Sequence, residues 1–153
     1  MAMDKLKELL EESADLYNNF LELEYKKYDT VLKNDIETLD DVVSKEQAFY
    51  LKMRGLEQKR EKLIDSMGMS GKTLKEIIDS SEEAKNMLIE EYEKLNSIMS
   101  EVKKISHLCK TLLEVRLHRI DKAMSQLGEK ENTYTNKESK NNNAKSLMIS
   151  KKI

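Results

Sequence analysis

Apolar residues recur three and four positions apart from the start of the chain: Leu6, Leu10, Tyr17, Phe20, Leu21, Tyr28, Val31 and Leu32. That spacing puts them on one face of a helix. The run stops at "KND", where Asp35 can cap a new helix by accepting the free N–H groups of its first turn. A second periodic stretch carries Ile36, Leu39, Val43, Tyr50, Met53, Leu56, Leu63, Ile64 and Met67. Gly68 then supplies the left-handed residue that ends a helix. Thr73 with Glu76 reads as a capping box opening a short helix, "TLKEIID", and Ser80 with Glu83 reads as a second box before the longest element. Its inward set is Met87, Leu88, Tyr92, Leu95, Ile98, Met99, Val102, Ile105, Cys109 and Leu112, with neither Pro nor Gly between Ser81 and Gly128.

The pattern predicts helices over about 3–33, 36–67, 74–79 and 82–127. The fold class is all-α: an elongated antiparallel bundle of three long helices, with a short helix in the linker before the third. Residues 1–128 form the bundle. Residues 129–153, opening "EKENTYTNKESKNNNAKS", are polar and have the composition of a disordered tail, although the closing "SLMISKKI" regains four apolar side chains.

Helix lengths then point to a free surface. The first two helices, about 30 residues and 45–48 Å each, make a matched hairpin. Starting beside the end of the second, the third long helix reaches the 33–35 turn by about residue 113, which leaves roughly 20 Å without a neighbour. That overhang, within "LLEVRLHRIDKAMSQL", carries Leu113, Leu117, Ile120, Met124 and Leu127 in a 4-3-4-3 stripe, and Val115 widens it. A free stripe of this kind marks an interface. The alternatives are a kink that folds the overhang back, or a second copy that covers it and makes a homodimer. Nine methionines suit an adaptable surface, and equally a thin core.

Composition agrees with long helices: 37% charged residues, no Pro, and four Gly. A net charge of −2 gives no reason to expect nucleic acid. Six Lys against three Glu make the tail mildly basic, as a solvated segment can be. No apolar run approaches the roughly 20 residues of a membrane helix, the first residues do not read as a signal peptide, and a lone Cys109 fits the cytoplasm.

"GMSGKT" (68–73) ends like a phosphate-binding P-loop. The motif requires a Gly at position 66, where this chain has Ser66, and a preceding strand, where it has "QKREKLIDSM". The stretch is a turn between helices, and no nucleotide cofactor is expected. No metal is expected either: His107 and His118 lack the Glu-x-x-His spacing of di-iron bundles, and His107 and Cys109 point apart. Glu114 and His118, four residues apart, are expected to share a surface hydrogen bond. Nothing resembles a catalytic set, so the protein is not expected to be an enzyme. Glu24, Glu46, Glu57 and Arg60 interrupt the apolar stripes, so they are expected to pair or snorkel. The antiparallel register puts Arg60 near Glu8, Glu11 or Glu12.

The run "LKNDIETLDDVVSKEQAFYLKMRGLEQKREKLI" resembles the FlgN-type flagellar export chaperones. Their second helix has a polar turn with Asp, then a Glu, then Leu-Glu-x-x-Arg; here these are Asp35, Glu46, Leu56, Glu57 and Arg60. "MGMSGKTLKEII" is similar to the family's Gly-containing linker and short helix, and Thr133-Tyr134 matches a Thr-Tyr pair common in its tail. The Gly that often follows that pair is replaced by Thr135. The resemblance spans about residues 5–135. It implies a cytoplasmic chaperone that binds the disordered ends of hook-associated proteins and keeps them unpolymerised until the export gate takes them, using no nucleotide. The overhang and tail then sit where a client should bind, with Leu113, Leu117, Ile120, Met124 and Leu127 as client contacts and Tyr134 as the export-gate contact. The competing reading is a self-associating coiled-coil scaffold with no foreign client.

Overall fold

The structure, a computed structural model, describes residues 2–128. It consists of α1 (Ala2–Leu32), α2 (Ile36–Ser66), the short α3 (Leu74–Asp79) and α4 (Glu82–Leu127), with no strand among the described residues. The architecture is therefore all-α, and the helix boundaries fall within about one residue of those expected from periodicity. The tail, with Tyr134, lies outside the described residues.

Local chemistry ends and starts each helix. α1 closes with Asn34 in the left-handed conformation, at φ 56°. The Asn34 N–H donates to Val31 O and the Asp35 N–H to Thr30 O, the paired bonds of a Schellman motif. Asp35 then caps α2 by accepting from the Thr38 N–H at 3.2 Å. α2 ends the same way: Gly68 has φ 74°, its N–H donates to Asp65 O, and the Met69 N–H donates to Ile64 O. Thr73 Oγ1 accepts from the Glu76 N–H and caps α3. The cap of α4 is Ser81, which accepts from the Ala84 N–H, so the cap lies one residue later than expected and the box of Ser80 with Glu83 does not form. Ser80 instead closes α3, its hydroxyl donating to Ile77 O.

α1 is the central helix. It packs against both α2 and α4, whereas no Cα of α2 comes within 8 Å of one in α4. Two apolar clusters stack along it. At the closed end Leu6 and Leu10 meet Ile64, Ile77, Ile78 and Leu88, so the short α3 plugs the base of the bundle. Further along, Phe20 and Leu21 meet Val102, Ile105 and Cys109, and Phe49 packs edge-on to Phe20 at 5.6 Å. α1 and α4 run parallel and α2 antiparallel between the same ends.

Candidate functional site

The turn-side end of the bundle fixes where the free segment of α4 begins. Two contacts set the register: Cys109 Sγ lies 3.7 Å from Glu24 O, and Arg116 Nη2 donates to Leu32 O at 3.1 Å, separations of 85 and 84 residues. Arg116 also donates to the side-chain oxygen of Asn34. A single guanidinium thus reaches both the last turn of α1 and the left-handed residue of its cap. The offset carries α4 to the tip of the hairpin at Arg116, three residues later than the expected residue 113. The cause is at the base, where the packed α3 lets α4 start below the first residue of α1. Residues 117–127 extend beyond, roughly 16 Å of helix.

At 100° per residue, Leu113, Leu117, Ile120, Met124 and Leu127 fall within an arc of about 80° that also contains Ala84, Leu88 and Val102. Those three are fully buried against the hairpin. The face by which α4 enters the core therefore continues past the hairpin, with no other helix beside it among the described residues. Ile120 is 55% exposed and Leu127 89%, while Leu113, Leu117 and Met124 are half-buried. Val115 does not widen the stripe. It lies on the other side of α4, exposed like its neighbour in bearing, Leu108. At the tip, Leu32 and Ile36 are exposed as well.

The polar residues of the helices sort differently from expectation. Arg60 does not reach across to Glu8, Glu11 or Glu12; it pairs with Glu57, one turn away on α2. Tyr17 is the α1 residue within reach of its field, and burial followed by the Glu57 charge holds that phenol above its ordinary range. Glu114 pairs with Lys110 at 3.8 Å rather than with His118. Glu46 is the buried partner of Lys27 at 3.1 Å, a lysine not singled out from the sequence because of its charge. Beside them Glu24 is buried with no donor at either carboxylate oxygen. Burial pushes its carboxyl up to about 9, the adjacent Glu46 acting in the same direction through a shared hydrogen bond and its charge, and Lys27 opposing. A proton between the two carboxyls satisfies both descriptions.

The "GMSGKT" segment has the geometry of a turn. Gly71 takes φ 81°, and the Lys72 N–H donates to Met69 O. The cleft beside it is lined by Arg60 and Lys72 but also by Glu61 and Asp65, a mixed charge unsuited to a phosphate chain. Cys109 is buried, and burial followed by the charge of Glu24 pushes its thiol up to about 12, so it is a core residue and not a nucleophile. Among the described residues no group of His, Cys, Asp and Glu could hold a metal ion, and no helix is long and apolar enough to cross a membrane.

A family model described as FlgN protein matches residues 1–142, which takes in every described helix and residues 129–142 beyond them. No curated protein and no solved structure matches the chain.

Proposed function

The chain belongs to the FlgN family of non-enzymatic flagellar export chaperones, and on that premise we propose that it captures hook-associated proteins in the cytoplasm and holds them unpolymerised for export. The observation that carries the reading is the α4 face that leaves the hairpin at Arg116 and runs on to Leu127 with no other helix against it among the described residues. A client's amphipathic helix laid on Leu113, Leu117, Ile120, Met124 and Leu127 would replace the hairpin that covers the same face lower down. Each buried Leu or Ile contributes on the order of 1.5–3 kcal/mol. The five together supply roughly 8–15 kcal/mol, which, less the cost of ordering a client end, gives binding in the micromolar range. Affinity of that order suits a chaperone that must release at the gate.

Residues 129–153 follow Gly128 in the sequence, and they form the second part of the site in this reading. Tyr134 is the gate contact. The experiment is capture of a purified hook-associated protein by the full chain and by a chain ending at residue 128. The shorter chain keeps its helicity and binds or delivers the client less well. Equal capture and equal delivery by both would remove the tail from the mechanism.

A further inference from the structure

The midsection of the bundle holds a charge cluster in the core. Glu24 and Lys27 are each 1% exposed and Glu46 3%, at a level where an apolar layer would otherwise close the gap between helices. The groups facing Glu24 come from all three long helices: Lys27 on α1, Glu46 and Tyr50 on α2, Cys109 on α4. The Tyr50 hydroxyl is buried without a partner, and so is that of Ser106 on α4. Two carboxyls and one ammonium are neutral only while one carboxyl keeps its proton. Fully ionised, the cluster carries a net negative charge away from water, which is costly.

We propose that Glu24, Lys27 and Glu46 form a one-proton latch between α1 and α2: with one carboxyl protonated the hairpin is shut, and release of that proton to solvent frees the turn-side half of α2. The proton belongs to the carboxyl pair. Burial raises Tyr50 and Cys109 above their ordinary ranges, so both stay neutral through the physiological window. α2 is the helix that moves because it is the least anchored. Between Val42 and Ile64, Glu46 is its one buried side chain, and its backbone makes no close approach to α4. α1 and α4 stay together through Arg116, Cys109 and the aliphatic layers.

The linkage has a definite sign. Glu24 titrates near 9 in the shut state, against 4.5 when solvated. The shut state is favoured at low pH, and its advantage is lost as pH rises from the lower value to the higher. A one-proton linkage makes opening about tenfold more favourable per pH unit within that window. Hydrogen exchange on the intact chain at about pH 6 and pH 8, with labelling times scaled to intrinsic exchange, reads this directly. Protection over residues 36–50 is expected to fall about a hundredfold, while residues 84–105 keep theirs. Glu24→Gln and Glu46→Gln are each expected to abolish the fall, since the remaining carboxylate balances Lys27 with no proton to lose. An undiminished fall in both variants, no fall in the natural chain, or an equal fall along α4 would overturn the latch.

Discussion

Val102 and Ile120 stand eighteen residues apart on α4, five full turns, and so share one bearing on the helix. Only their surroundings differ. Val102 is fully buried beside Phe20 and Ile105, whereas Ile120 lies past the last hairpin contact and is 55% exposed. An aspartate at each position therefore measures what covers the stripe. Val102→Asp forfeits roughly 1.5–3 kcal/mol of apolar burial and places a carboxylate without a donor in the core, a further cost of several kcal/mol. Together these approach the whole stability of a domain of this size, about 5–15 kcal/mol. Ile120→Asp costs only an exposed substitution in a helix, within about 0.5 kcal/mol. Urea unfolding followed by circular dichroism reads both: the first variant is unfolded or has a greatly lowered midpoint, and the second is superimposable on the natural chain. An Ile120→Asp midpoint lowered by more than 1 kcal/mol equivalent, about twice that allowance, would refute the reasoning. It would mean that a bend in α4 or a second copy covers the face in the free protein, and sedimentation velocity would tell those two apart.

Other expectations are simpler to check. Lys72→Ala leaves the melting temperature unchanged, and adding ATP shifts neither protein, because the linker is a turn in which Thr73 caps α3 by accepting from the Glu76 N–H. Arg60→Ala lowers stability by only about 0.5 kcal/mol, the worth of a solvent-exposed i,i+3 pair, and the hairpin register survives by NMR. The urea midpoint of the natural chain falls as pH is raised from about 6 to 8, since a carboxyl raised to about 9 favours the folded state below that value. In Glu24→Gln the midpoint is higher at pH 8 and the slope is lost.

Helix existence, order and boundaries were readable because each helix carries a 3.6-residue apolar repeat and ends in a residue with a distinct local preference. Asp35, Gly68 and Thr73 act as their chemistry suggests, whereas Asn34 was hidden because its left-handed geometry depends on the two Schellman bonds around it. The overhang was also readable, being a matter of length, and the error of three residues came from the packing of α3, which no repeat encodes. Side-chain pairing was not readable. Arg60 could choose between a near partner on α2 and distant ones on α1, and proximity decided for Glu57. Lys27 lies at the edge of the apolar stripe, seven residues after Phe20 and four before Val31, but its charge disguised the burial that the central place of α1 between α2 and α4 imposes. Val115 shares the overhang with the stripe but not its bearing, which puts it on the other side of α4.

The central claim is that the bare face of α4 holds the client. Isothermal titration of a purified hook-associated protein into the full chain and into its Ile120→Asp variant tests it most directly. Removing one buried anchor of about 1.5–3 kcal/mol corresponds to a loss of roughly 10- to 100-fold in affinity. The account predicts a micromolar Kd for the natural chain and at least tenfold weaker binding by the equally stable variant. Equal affinities would contradict it and move the site off α4, to the hairpin.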